Sequence, residues 1–299
     1  MLVLTDEQVR AALDVDLLLD ALERAFVELS AGRASVPPRT AAFSEHGLLG
    51  AMPGYVDGVL AAKLVTLFPG HEPSHQALIA VFDAETGTPV AVMDGTHITA
   101  VRTGASSAVA TRALAREDAQ VLAILGAGVQ GRSHLDAVGR VRDFSEVRIA
   151  SRDPERAHAF AGETRATAVG SFEEAVRGAD VVCACTSSAE PVLRREWLAP
   201  GTHVTSIGSS MDGPELDRET VTAGLLVIES RVAFQPPPAG SHELQGLDPE
   251  DAVELGEVLA GSRPGRSSAD QITVYKSMGH AVEDAAAAAL VLKLNSSGS

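Results

Sequence analysis

Polar and apolar positions follow two different textures along this chain. In the first third, apolar residues recur at helical spacing through VDLLLDALERAFVELSAG. They then alternate with polar ones along RTAAFSE, LLGAMPGYV, VLAAKLVTLF, HQALIAVFDAE and TPVAVMDG. Thr5 and Asp14 are N-cap residues by type, and Asp14 opens the amphipathic helix that stops at Gly32. TGTP at 86–89 separates the last two alternating runs, which predicts a hairpin. The pattern is that of a mostly antiparallel sheet preceded by helices. HITAVRTGASSAVATRALA, 97–115, then turns helical and rich in small residues, as a connecting helix would.

From Ala119 the texture changes to strands alternating with helices. AQVLAILG leads to a helix from about Gln130, and EVRIAS to a helix from Pro154. ADVVCACT is followed by a short connection, THVTSIG by a helix near Leu216, and GLLVIES forms another strand. Such alternation predicts a parallel, doubly wound sheet. After ITVYKSMG, 272–279, an Ala-rich helix runs toward the end of the chain, where NSSGS reads as frayed. The fold class is therefore α/β, a doubly wound domain joined to a smaller α+β domain.

Composition narrows the function classes. The 299 residues carry a net charge of -16, which repels a phosphate backbone and argues against nucleic acid as a partner. MLVLTDEQVR lacks the basic and apolar regions of a signal peptide, and DAAAAALVLKL is too short and too interrupted by Lys293 to cross a membrane. Cys183 and Cys185 lie two apart on a strand, one face together, where they act as small core residues. A disulfide between them is strained, and two thiolates make a poor metal site. The expectation is a reduced, soluble, cytoplasmic protein without a metal.

Gly126-Ala-Gly128-Val-Gln-Gly131 fits G-x-G-x-x-G. Alone the pattern is weak, but here it follows the apolar strand VLAIL and opens a helix, the context that gives it meaning. The first glycine permits the tight turn, the second admits a pyrophosphate, and the third lets helix and strand pack closely. Helix-start N–H groups then face the phosphates. The strand EVRIAS should end in an acid if the adenosine ribose carries a free 2′-hydroxyl; it ends in Ser151 and Arg152. A hydroxyl and a planar cation suit a 2′-phosphate, so NADP(H) is favoured over NAD(H). Asp153 is the residue that a one-position shift of the strand end would bring in as an acid.

Three cations stand in apolar or small-residue surroundings: Arg39 in VPPRTAAF, Lys63 in LAAKLVTLFPG and Arg102 in TAVRTGAS. Each alone is an ion-paired or surface cation; together they form a carboxylate-binding set. Lys63 lies mid-strand, so its charge must reach solvent or find an anion. These stretches, with AMPGY, DGTHITAVRTGASSAVAT, GAGVQG, ASRDPERA, TSSAEPVL, PELD and ITVYKSMGHAVEDAAAA, resemble the ornithine cyclodeaminase/mu-crystallin family over nearly the whole chain. The resemblance implies a homodimer with a substrate-binding and dimerisation domain over 1–114, completed by a C-terminal helix at 277–299. It implies a Rossmann domain over 115–276 and a substrate cleft between the two. Carried over by position, Arg39, Lys63 and Arg102 bind a substrate carboxylate and Met52 walls its pocket. Thr103, Gln130, Ser187 and Ser277 join Gly126, Gly128, Gly131, Ser151 and Arg152 around the cofactor.

The resemblance also shows departures from the ornithine-cyclising members. Their catalytic Asp is replaced by Ser210 in Gly208-Ser209-Ser210, their Glu before the Met-Pro pair by Gly50, and their ribose acid by Ser151. Cyclodeamination needs an acid–base group for its amines. A chain with Ser210 at that place suits the reductive half alone, as in the mu-crystallin branch that reduces cyclic ketimine carboxylates. Lys63 is then the candidate for managing the imine proton and Ser210 for orienting the ring nitrogen. A cyclodeaminase using Asp212, an alanine-dehydrogenase-like or N-carboxyalkyl amino acid-forming enzyme, and a small-ligand binding protein remain as alternatives. The weaker signals read as structural: His71 and His75 flank Pro73 and make no zinc pair, His134, His203 and His280 sit on helix or strand segments, and Asp217 is an N-cap.

Overall fold

The computed structural model describes residues 1–71, 73–208 and 212–297. The chain divides into two compact units, Met1–Arg102 with Gly279–Ser299, and Thr103–Met278.

The first unit is a six-stranded sheet covered by helices. Its strands are β1 (Leu2–Leu4), β2 (Thr40–Phe43), β3 (Leu48–Val56), β4 (Val59–Leu67), β5 (His75–Asp83) and β6 (Pro89–Asp94), in spatial order β1-β6-β5-β4-β3-β2. β2 to β6 pair antiparallel, including the β5–β6 hairpin that TGTP predicted. The β3–β4 hairpin turns through Asp57 and Gly58, both at positive φ, which is the Asp-Gly chemistry a two-residue turn requires. β1 was not expected from the sequence; three residues carry no readable period, and only pairing with β6 defines them as a strand. Thr5 and Asp14 cap the two N-terminal helices, Asp6–Ala12 and Val15–Ser30, as their types predict.

Alternation along β3, β4 and β5 points Met52, Gly54, Val56, Ala61, Lys63, Ile79 and Val81 to one face. The helices Val15–Ser30 and Ala281–Ser297 pack on that side. A Cβ on Gly54 would lie 3.0 Å from that of Ala281, so the missing side chain sets how closely the C-terminal helix approaches. That helix buries Ala281, Val282, Ala285, Ala287, Ala288 and Val291, which is why its sequence is apolar all round. The opposite sheet face carries Leu49, Tyr55, Leu60 and Leu78, all exposed.

The second unit is an all-parallel sheet of β7 (Val121–Leu125), β8 (Glu146–Ala150), β9 (Thr167–Ala168), β10 (Val181–Ala184), β11 (His203–Ser206), β12 (Leu225–Ile228), β13 (Val253–Glu254) and β14 (Thr273–Lys276). The order β13-β12-β14-β11-β10-β7-β8-β9 reverses direction between β7 and β10, the place where doubly wound sheets bind ligands. β10, β11 and β14 are buried at every position, as strands covered on both faces must be. Cys183 and Cys185 are buried free thiols in this core, and burial pushes both well above the ordinary thiol range. The helix expected near Leu216 starts later and is a single turn, Arg218–Val221, capped by Asp217; Leu216 instead bridges to Leu193. His280 lies in the connection before the C-terminal helix rather than on a helix or strand. Among the described residues no helix is long and apolar enough to cross a membrane, and no cluster of His, Cys, Asp and Glu fits a metal.

Candidate active site

In the first unit the strand register sets Lys63 directly opposite Met52, both on the helix-covered face. Lys63 is 2% exposed, so its ammonium meets protein rather than solvent. Its anion is Asp284, whose Oδ1 and Oδ2 both lie 2.9 Å from Nζ. The same carboxylate takes Arg102: Nε donates to Oδ1 at 3.1 Å while Nη1 donates to Glu283 at 3.1 Å. Arg39 Nη2 donates to the carbonyl of Gly279 at 2.7 Å. Three cations far apart in sequence thus converge on one segment, 279–284.

The geometry of that segment explains the convergence. Gly279 has φ +71°, and a Cβ there would sit 2.5 and 2.7 Å from the terminal nitrogens of Arg102. A glycine therefore both permits the backbone turn and lets the guanidinium lie against it. Glu283 and Asp284 occupy the first turn of the helix that follows, where carboxylates are favoured by the helix dipole. His280 N–H donates to Glu283 at 2.5 Å and ties the helix start.

Lys63 and Arg102 meet the carboxylates of Asp284 and Glu283, and Arg39 donates to the carbonyl of Gly279, so the three cations are held close to one short segment. Burial pulls the Lys63 ammonium down to about 8; the Arg102 charge acts the same way and Asp284 opposes both. Burial alone would raise the Asp284 carboxyl, but the Lys63 and Arg102 charges overcome it and hold it below the ordinary range. The lysine therefore keeps a proton it can release near neutral pH.

In the second unit the glycine motif forms the turn from β7 into the helix Val129–Val138. Gly126 has φ +111° and a Cβ there would meet the Cys185 carbonyl at 2.7 Å; one on Gly131 would meet the Gly126 carbonyl at 2.1 Å. A Cβ on Gly128 would meet nothing within 4 Å, so this glycine opens space above the helix start rather than filling a close contact. Gln130 Oε1 is buried without a hydrogen-bond partner among the described residues. An open cradle at a helix N-terminus fits a bound pyrophosphate, while the Gln130 oxygen, an acceptor, fits a hydroxyl or amide donor of the same ligand. His134 steadies this turn: its Nδ1 donates to the Gln130 carbonyl at 2.8 Å and its Nε2 meets Ser107 Oγ at 2.9 Å. Burial lowers the His134 imidazole to about 4, so it is neutral.

The remaining nucleotide candidates follow successive strand ends. Ser151 and Arg152 come directly after β8, and Ser187 is exposed in the loop after β10. Asp153 is the N-cap of the helix Pro154–Glu163, accepting from Glu155 N–H at 3.0 Å. Ser277 after β14 is buried and donates to Glu229 at 2.5 Å. Thr103 is buried on the helix Thr96–Leu114. Ser210 lies outside the described residues, so its expected catalytic place is neither met nor excluded.

The sequence model of the ornithine cyclodeaminase/mu-crystallin family matches residues 1–299. The chain belongs to that family. It is 42% identical to the ketimine reductase mu-crystallin of Mus musculus over 94% of this chain and 93% of the mouse protein. It is 35% identical to the alanine dehydrogenase of Archaeoglobus fulgidus over 97% of this chain and 94% of that protein. The solved structure of Thermococcus litoralis Delta(1)-pyrroline-2-carboxylate reductase with NADH and L-proline superposes with a TM-score of 0.94 at 35% identity, covering 100% of this chain and 98% of that one. As a member of this family, the chain is a nicotinamide-dependent oxidoreductase.

Several residues of the site escaped the sequence reading. Gly279, Glu283 and Asp284 lie in SMGHAVEDA, where glycine and two acids before an alanine run look like an ordinary helix start. Glu215 and Glu243 are buried acids in the second unit; Glu215 accepts from Thr186 and Gly208, while Lys276 Nζ donates to Glu243 at 3.2 Å and to the Gly208 carbonyl at 2.6 Å. The available signal was a Lys inside an apolar strand, VYKSM, which needed a counter-charge just as Lys63 did.

Proposed function

We propose that this chain reduces an imine carboxylate to the L-amino acid, with a cyclic ketimine such as pyrroline-2-carboxylate or piperideine-2-carboxylate as substrate. The observation that carries the reading is the convergence of the buried Lys63 and Arg102 and the part-buried Arg39 on residues 279–284. Arg39 and Arg102 hold the substrate carboxylate and fix the imine beside Lys63, while Met52 supplies an apolar wall. The imine nitrogen takes a proton and its carbon a hydride. When bound, the nicotinamide supplies that hydride. Lys63 holds the proton, or the positive charge, next to the nitrogen as the bond order changes. Gly50 is buried on the same face as Met52 and brings no carboxylate for a second amine, which favours reduction over cyclodeamination. Ser210 is the proposed partner of the ring nitrogen.

NADPH is the preferred donor in this reading. What supports this is that β8 ends at Ala150 with Ser151 and Arg152 directly after it, while Asp153 is committed to capping a helix. An Arg there accommodates a 2′-phosphate that an acid would repel. The chain forms a homodimer through the exposed apolar face of Leu49, Tyr55, Leu60 and Leu78, and it works in the cytoplasm, where its two buried cysteines stay reduced.

A paired assay tests the reading. Oxidation of NADPH and NADH is followed with pyrroline- and piperideine-2-carboxylate, and in parallel NAD⁺ with ornithine is scored for proline. NADPH-dependent imine reduction without proline from ornithine is expected. Proline from ornithine and NAD⁺ overturns it in favour of the cyclodeaminase. Turnover only with pyruvate and ammonia moves the assignment to the alanine-dehydrogenase type, which the similarity to the Archaeoglobus protein favours as the second reading.

A further inference from the structure

Asp284 serves two cations with one oxygen. Its Oδ1 lies 2.9 Å from Lys63 Nζ and 3.1 Å from Arg102 Nε, and the residue is 1% exposed. Solvent cannot screen the repulsion between two buried cations; a carboxylate between them must. We infer that Asp284 is a positioning residue of the reduction, acting through Lys63: it keeps the ammonium charged and aimed, and holds Arg102 in the orientation that meets a substrate carboxylate. This inference rests on the proposed role of Lys63.

The surroundings of Lys63 support it. The charged and titratable groups that face it are Asp284 from the C-terminal helix, Arg102 from the helix Thr96–Leu114, Arg39 from the segment before β2, and His75 from β5; Glu283 acts through Arg102. Arg39 and Arg102 lower its proton affinity and burial does so more strongly; Asp284 alone among these raises it. With Asp284 present the ammonium titrates at about 8. An opposite charge in contact is worth about 1–3 pH units, so neutralising Asp284 should bring Lys63 to roughly 5–7. The sign follows directly. A lower lysine value means that the charged form is lost at lower pH, so the alkaline fall in activity moves down the scale.

The test is kcat/KM for imine reduction over about pH 5.5–9.5 in the wild type, Lys63→Arg, Lys63→Ala, Asp284→Asn and Asp284→Glu. Ionisation of the substrate is common to all five, so differences between profiles belong to the protein. The wild type should fall with an apparent value near 8, and Lys63→Arg should abolish that limb because a guanidinium does not titrate there. Asp284→Asn should shift the limb down by about one to three units and reduce kcat/KM at pH 8 by about tenfold or more. Asp284→Glu keeps the charge and should hold the limb near the wild-type value while KM rises. If Asp284→Asn does not fold, Asp284→Glu carries the decision, because a limb displaced downward with the charge retained overturns the inference. A wild-type limb in Asp284→Asn overturns it as well. Failure of the underlying reading is distinct: the wild type would reduce no imine, or Lys63→Ala would turn it over normally.

Discussion

Glu215→Gln is the substitution whose consequences the atoms of the second unit specify most fully. Glu215 is 1% exposed. Its Oε1 accepts from Thr186 N–H at 2.6 Å and Thr186 Oγ1 at 2.7 Å, and its Oε2 from Ser206 Oγ at 2.8 Å and Gly208 N–H at 2.9 Å. Both oxygens thus face a backbone donor that cannot turn round. A glutamine presents an NH₂ on one side, and whichever side that is, one buried N–H loses its acceptor. On either side the hydroxyl already accepts one bond, Thr186 Oγ1 from Ser188 N–H at 3.2 Å and Ser206 Oγ from Lys276 Nζ at 3.1 Å, so reversing it leaves its own proton in need of a new acceptor. An unsatisfied buried donor costs about 1–3 kcal/mol, and the remaining bonds lose their charge assistance at about 1 kcal/mol more. A total of about 2–4 kcal/mol lowers Tm by roughly 4–16 °C for a unit of this size.

The same oxygens tie the loop after β10, which carries Ser187, to the loop after β11, which leads toward Ser210. Loosening both should weaken nucleotide binding as well as stability. Calorimetry gives Tm, and quenching of NADPH fluorescence gives Kd, for which an increase of about tenfold is expected, equivalent to about 1.4 kcal/mol. Gly208→Ala should act in the same way, since a Cβ there would meet the Glu215 carboxylate at 2.5 Å. A glutamine variant with Tm within about 2 °C of wild type refutes the energetic argument. One with a large Tm loss and an unchanged Kd refutes the coupling of this carboxylate to the nucleotide loops.

Three further outcomes are expected. Gly279→Ala must place a Cβ 2.5 Å from an Arg102 nitrogen at φ +71°, so KM for the imine carboxylate should rise about tenfold or more with NADPH Kd unchanged; steady-state kinetics at a normal KM would contradict the geometry. Arg152→Ala should weaken NADPH by about 10- to 100-fold and leave NADH within about twofold, and equal losses for both cofactors would remove Arg152 from the phosphate. Burial lowers the His134 imidazole to about 4 and, helped by Arg266 and Arg142, the His203 imidazole to about 3. Both are neutral when folded and take protons on unfolding, so their contribution is fully present above about pH 6.5 and lost as pH falls. Between pH 7 and 5 urea denaturation should show a loss on the order of 4 kcal/mol from the pair, and a flat profile would speak against it.

Much of the fold was legible because its determinants are local. Period-2 runs split by TGTP located the β5–β6 hairpin, side-chain oxygens at Thr5, Asp14 and Asp217 located helix starts, and a glycine motif between strand and helix located the nucleotide turn. β1 and the placement of β14 between β11 and β12 were not legible, since a strand's neighbours are chosen by the whole sheet. Family membership rests on the same stretches of sequence and is met by the match over the full chain.

For the active site, the chain's own order of residues determined that Arg39, Lys63 and Arg102 were cations in apolar settings, and that a lysine in the middle of a buried strand required an anion. Which anion was beyond it. Asp284 lies 221 positions from Lys63 and reaches it only because the C-terminal helix lies across β3 and β4, closely enough at Gly54 for its first turn to face the strand. Local pattern specifies what each residue needs; the packing of distant elements decides what it receives.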